Sequence, residues 1–72
     1  MRFIITFATV TDALAVEAYA AENELGGEII ALPGSLKAGC GFAYQIVADG
    51  REKLVEQLSA GSLNFEAIVD WS

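Results

Sequence analysis

The hydrophobic and polar positions of the chain divide it into six segments, four with the two-residue period of strands and two with a helical period. The strand segments are rich in β-branched and aromatic residues and cover positions 2–7, 28–32, 42–48 and 65–71. The helical segments cover positions 9–25 and 49–61. The order β-α-β-β-α-β occurs once. It predicts an α+β, ferredoxin-like sandwich in one domain, 1–72, with a four-stranded antiparallel sheet and both helices on one face.

Local signals predict where the helices begin and end. Thr9 is expected to cap the first helix through its side-chain oxygen, and Gly26-Gly27 to end it. Asp49 and Glu52 have the spacing of a capping box for the second helix. Four apolar residues of the first helix have the spacing of a buried stripe: Leu14, Ala18, Ala21 and Leu25.

The face of the sheet away from the helices is expected to be uncovered. It would carry Ile4, Val47 and Ile68 among polar neighbours, either as a patch for a second subunit or as scattered surface residues. A chain of 72 residues builds a modest core, yet 54% of its residues are hydrophobic. The surplus leaves apolar surface for a partner chain, so a homodimer is expected.

Charge and composition exclude several function classes. The net charge is −6 and the basic residues are scattered, which argues against binding nucleic acid or an anionic membrane surface. No window approaches the roughly 18 consecutive apolar residues of a membrane span. With one cysteine and no histidine, one chain can form neither a structural zinc site nor an internal disulfide, which favours a reducing cytoplasm. The sequence predicts no cofactor and no metal.

Residues 32–41 hold the only proline, the only cysteine and three of the seven glycines. Pro33 should end the second strand, because proline fixes φ and has no N–H for a strand ladder. Gly39 and Gly41 flank Cys40, where they remove neighbouring Cβ atoms and permit positive φ. Cys40 is therefore either a reactive thiol on a loop or, as free cysteines often are, a small buried hydrophobic residue.

The predicted topology places this loop beside the beginning of the first helix, at Thr9. Helix N-termini carry unpaired N–H groups and a partial positive charge, which would stabilise a thiolate at Cys40 and lower its pKa. Lys37 would act in the same direction, and Asp12 would oppose it.

The segment order, with a strand that ends at Pro33 and Cys40-Gly41 opening the third strand, resembles a family of small bacterial domains described as selenium/sulfur-carrier-like. The resemblance covers essentially the whole chain. It implies that Cys40 accepts sulfur or selenium, with Pro33 as strand terminator and Gly41 beside the thiol. Members commonly have an arginine after the proline. This chain has Gly34 there, so an anion-binding role for that arginine would have to be taken by Lys37.

Three functions remain open at this point. The first is a carrier that holds a sulfur or selenium atom on Cys40 as a persulfide or selenopersulfide and exchanges it with donor and acceptor proteins. Pro33, Lys37, Gly39, Gly41 and Thr9 would surround that thiol. The second is a non-enzymatic ligand-binding or interaction module in which the glycine loop binds an anion and Cys40 is incidental. The third is a subunit that stabilises a larger complex.

A carrier or binding module fits better than an enzyme, because the chain has no histidine and no phosphate-binding or dinucleotide motif. Tyr44 is only a weak candidate for a general base.

Overall fold

The computed structural model describes residues 1–32 and 41–70. Within them the elements follow the predicted order: β1 (Arg2–Thr6), α1 (Val10–Glu22), β2 (Glu28–Ala31), β3 (Phe42–Val47), α2 (Arg51–Ala60) and β4 (Ala67–Asp70). The strands form one antiparallel sheet in the order β2-β3-β1-β4. This confirms the predicted α+β fold with ferredoxin-like strand order. Trp71, expected at the end of the last strand, lies outside the described residues.

β1 is the centre of the sheet, and every residue from Phe3 to Thr6 is buried. It lies between β3 and β4, so both of its edges are hydrogen-bonded. Its residues Phe3 and Ile5 face the helices, and both helices contribute to the same core. That core consists of Phe3, Ile5, Phe7, Ala13, Val16, Ala20, Tyr44, Ile46, Leu54, Leu58 and Ile68.

The prediction of an uncovered apolar patch is wrong for two of its three residues. Ile68 pairs with Ile5, and directly paired residues point to the same side of a sheet, so Ile68 belongs to the helix-side core. Ile4 lies on the other face but is fully buried. Val47 alone is exposed as expected, with 68% of its surface accessible.

The predicted buried stripe of α1 is also wrong. Ala13, Val16 and Ala20 face the sheet and are buried. Of the four residues predicted to be buried, Leu14, Ala18 and Ala21 are exposed to solvent. Only Leu25, which lies beyond the end of the helix, packs against the core. Alanine-rich α1 has two apolar stripes, and the one that packs contains the β-branched Val16.

The helix caps differ from the prediction at two of the expected positions. Gly50, not Asp49, is the N-cap of α2, and it makes no side-chain cap bond. Asp49 instead lies 3.7 Å from the Lys53 ammonium at the surface. α1 ends before Gly26-Gly27, with Asn23 as its C-cap and Glu24 in the left-handed region at φ 53°.

Both helices end in the same hydrogen-bonded turn. After α1, the N–H of Leu25 donates to the carbonyl of Ala20 at 2.9 Å; after α2, the N–H of Leu63 donates to Leu58 at 3.0 Å. This six-to-one bond defines the Schellman motif, whose left-handed residue is usually glycine. Here the left-handed residue is Glu24 in one turn and Ser62 in the other, both at φ 53°.

Substituting Glu24→Gly is therefore expected to stabilise the protein. Glycine removes the steric cost of the left-handed backbone, about 1–2 kcal/mol. Part of that gain is lost because glycine makes the unfolded chain more flexible, so the net increase in the free energy of unfolding is about 0.5–1 kcal/mol. Urea denaturation followed by circular dichroism measures the change. Glu17→Gly, in the middle of α1, is the matched control and should destabilise by about 1 kcal/mol. A loss of stability at both positions would contradict the prediction.

Candidate functional site

One end of the sheet brings together the point where β1 ends, the point where β3 begins and the first turn of α1. Thr6 pairs with Ala43, so Gly41 and the segment leading to Thr9 both lie beyond the same end of the sheet. The N–H of Glu66 donates to the Thr6 carbonyl at 2.7 Å, which fixes the start of β4 here as well. Of the six predicted site residues, Thr9 and Gly41 lie at this end.

Thr9 is the N-cap of α1, as predicted. Its backbone is extended, at φ −135° and ψ 156°, and its Oγ1 accepts a hydrogen bond from the Asp12 N–H at 3.2 Å. An α-helix leaves its first N–H groups without intrahelical acceptors, and Thr9 satisfies one of them. The carboxylate of Asp12 lies in this first turn, where it is stabilised by the positive end of the helix dipole.

Gly41 directly precedes β3, and its backbone has a conformation that favours glycine. Its φ is +76°, and a Cβ atom built on it would meet no atom within 4 Å, so the backbone angle rather than lack of space accounts for the residue. The Gly41 carbonyl accepts from the Leu32 N–H at 3.0 Å, just beyond the Ala31–Phe42 pair that ends the β2–β3 ladder. This bond joins the two residues that flank positions 33–40.

Four of the predicted site residues, Pro33, Lys37, Gly39 and Cys40, lie in the segment 33–40, outside the described residues. Their predicted roles stay predictions.

The geometry argues against Tyr44 as a general base. Its hydroxyl donates to the Gly26 carbonyl at 2.7 Å. Burial raises its pKa above 10.0, and the nearby carboxylates of Glu17 and Glu28 raise it further. Gly26 precedes β2, whereas Gly41 lies beyond the opposite end of that strand. The phenol therefore stays protonated and points away from the Gly41 end.

Two shallow grooves lie at the end of the sheet where β3 finishes, away from Gly41. They have volumes of about 240 and 380 Å³ and share Leu25, Ile46 and Val47 in their walls. Their polar groups are Lys53, Asp49 and Gln57 in one, and Glu28 and Gln45 in the other.

Within the described ranges, no group of three or more cysteine, histidine or acidic residues is arranged to hold a metal ion. Neither α1 nor α2 has the length and apolar character needed to cross a membrane.

Sequence reasoning missed an exposed apolar surface on α1. Val10 and Leu14 expose 44% and 52% of their surface, and Ala18 and Ala21 continue the same stripe in solvent. The signal was present in the sequence, because the helix carries apolar residues on more of its circumference than a single buried stripe requires.

The structure defines a small α+β domain in which Gly41 and the capped start of α1 lie at the same end of the sheet, and in the sequence the single cysteine directly precedes Gly41. The family model described as "Putative Se/S carrier protein-like" matches residues 2–70, nearly the whole chain. The chain belongs to this family. No curated protein and no solved structure matches it significantly.

Proposed function

We propose that this protein is a carrier that accepts a sulfane sulfur or selenium atom on Cys40 and relays it to a partner enzyme. The observation that carries the proposal is the family match over residues 2–70, which includes the single cysteine of the chain. The carrier acts in a reducing cytoplasm, where a lone thiol stays available.

The proposed transfer needs no oxidant or cofactor. The Cys40 thiolate attacks the sulfane sulfur of a donor persulfide, and a new S–S bond forms between them. The donor's own S–S bond breaks, and its electron pair leaves with the donor thiolate. Delivery is the same exchange in the other direction, with the acceptor's thiolate as nucleophile and Cys40 as leaving group. A selenium atom would travel by the same two steps.

The described neighbourhood supports this chemistry through the position of α1. The Leu32–Gly41 bond, between the two residues that flank positions 33–40, lies at the same end of the sheet as the positive end of α1. A thiolate near that helix start would be stabilised, and Lys37 would add to the effect. The Asp12 carboxylate opposes it, and the pKa of the Cys40 thiol reports the balance.

The carrier does not require a general base if its thiol ionises by itself. Tyr44, the one candidate base named from the sequence, instead donates a hydrogen bond to the Gly26 carbonyl. We therefore expect the pKa of Cys40 to lie below about 8.5, the value for an unperturbed thiol.

Mass spectrometry of the intact protein tests the proposal. After incubation with a cysteine desulfurase and cysteine, or with sodium polysulfide, the wild type is expected to gain about 32 Da, the mass of one sulfur atom, as a persulfide. Cys40→Ser should gain nothing. The pH dependence of iodoacetamide alkylation gives the thiol pKa in the same preparation.

Two results would contradict the carrier. One is a wild type that forms no adduct with either donor. The other is a thiol pKa above about 9 with slow alkylation. If the wild type gained no sulfur and Cys40→Ser kept all binding to small anions, the protein would be a binding module in which the cysteine is incidental.

A further inference from the structure

Helix α1 has two apolar stripes, and the sheet covers only one of them. With about 100° between successive residues, Ala13, Val16 and Ala20 form the packed stripe. Val10, Leu14, Ala18 and Ala21 form a second, which we call the outer stripe; all four residues are exposed. The outer stripe lies about a third of the way around the helix from the packed one, and apolar residues on a helix face typically lie against another surface.

The charged residues at the edges of the outer stripe are acidic. Glu17 and Glu22 lie on its two sides, and both are exposed. No lysine or arginine occurs between Arg2 and Lys37, so α1 contains no basic side chain to offset them. Two such faces brought together would place like charges opposite each other, which disfavours a second copy of this chain. Anionic membranes are disfavoured for the same reason.

The outer stripe begins at the Gly41 end of the sheet. Val10 is the first residue of α1. It follows the end of β1, at the same end of the sheet as Gly41. Phe42, the first residue of β3, adds exposed aromatic surface at this end, with 43% of its surface accessible. A protein docked on the outer stripe would therefore reach the end of the sheet where the 33–40 segment begins and ends.

We propose that the outer stripe docks a protein that exchanges sulfur with this chain, through a partner surface with an apolar ridge edged by lysine and arginine. This inference rests on the proposed carrier function and identifies how the carrier recognises its partner. Apolar contact supplies the area, and the acidic edges select a basic surface and speed its approach.

The test compares protein and small-molecule donors of sulfur. The rate of sulfur loading on Cys40 is measured by intact mass, first from a persulfidated cysteine desulfurase and then from sodium polysulfide at the same persulfide concentration. Leu14→Asp and Glu17→Lys are expected to slow loading from the enzyme about tenfold or more, as disruption of an interface does. Neither should change loading from polysulfide.

Two variants on α2 are the matched controls. Val55→Asp places a charge on another exposed apolar residue, and Glu56→Lys reverses another exposed carboxylate. Both should load at wild-type rates from either donor. Wild-type loading from the enzyme should also slow as sodium chloride rises, because salt screens attraction between exposed charges.

Several outcomes would overturn docking on the outer stripe. An equal loss in the α2 variants would show that α1 has no special part. A dimer in sedimentation that Leu14→Asp converts to monomers would show that a second copy covers the stripe. A wild type that loads from neither donor would overturn the carrier itself, whereas normal loading by all variants would overturn only the docking surface.

Discussion

Replacing Gly27 with alanine is expected to destabilise the protein by about 3 kcal/mol or more, from a left-handed backbone cost of about 1–2 kcal/mol and a steric overlap of similar size. Gly27 has φ +86° where the chain enters β2. A Cβ atom there would lie within 2.4 Å of the Gln45 carbonyl oxygen and 2.6 Å of the Tyr44 ring. The carbonyl belongs to the sheet backbone and cannot move aside without breaking strand pairing. Urea denaturation followed by circular dichroism measures the loss.

Gly26 provides the matched control for this substitution. Its φ is +77°, nearly the same as that of Gly27, but a Cβ atom at Gly26 would meet nothing within 4 Å. Gly26→Ala should therefore cost only the backbone term, about 1–2 kcal/mol. Equal losses at the two positions would show that the approach of Gly27 to β3 adds nothing. Native stability in Gly27→Ala would contradict the described packing altogether.

Replacing Leu54 with alanine is expected to cost about 2–5 kcal/mol, the usual effect of removing a fully buried leucine side chain. Leu54 is one of the two residues through which α2 enters the core, and none of its surface is accessible. Since native domains are stable by only about 5–15 kcal/mol, the variant should be partly unfolded at 37 °C. Thermal unfolding followed by circular dichroism gives the measurement.

Leu14 is a matched leucine on the other helix, and its side chain lies in the outer stripe. Leu14→Ala is expected to change the free energy of unfolding by no more than about 0.5 kcal/mol, as exposed substitutions usually do. Comparable losses at Leu14 and Leu54 would mean that the outer stripe contributes to the fold. In that case its apolar residues would need no partner to explain them.

The sequence patterns predicted the elements and their order because strand and helix periods differ clearly in this chain. Residues 2–7 and 42–48 are dominated by β-branched and aromatic side chains, and the structure has strands within both ranges. Thr9 was also predicted correctly as a cap, since its hydroxyl needs only the N–H three residues later. Such features depend on neighbours in the sequence.

Which face of β4 and of α1 is buried was predicted less well, because both elements carry apolar residues on more than one face. In β4, alternation alone cannot tell whether Ile68 or its neighbours Ala67 and Val69 face the helices; pairing with Ile5 decides it. In α1, alanines are so frequent that two stripes satisfy the helical period equally well. Only packing against the sheet selects Val16 over Leu14.

The candidate site was predictable at the level of topology. Strand order alone brings Thr9 and Gly41 to one end of the sheet, and the structure has them there. The outer stripe was missed because an exposed apolar stripe and a buried one look alike in a sequence. Tyr44 was only a weak candidate base from the sequence, which could not show its hydrogen bond to the Gly26 carbonyl, because that partner is a backbone group that no side-chain pattern reveals.

The central position of β1 has a consequence for biosynthesis. During translation β1 leaves the ribosome before β3 and β4, its two neighbours in the sheet, and β4 is the last of the four strands to be made. Until β3 has been made, its residues Phe3, Ile4 and Ile5, all fully buried in the native state, have no neighbouring strand, and the side of β1 that pairs with β4 stays unpaired for longer. Nascent chains should therefore engage chaperones through this segment, and the sheet should close only after synthesis of β4.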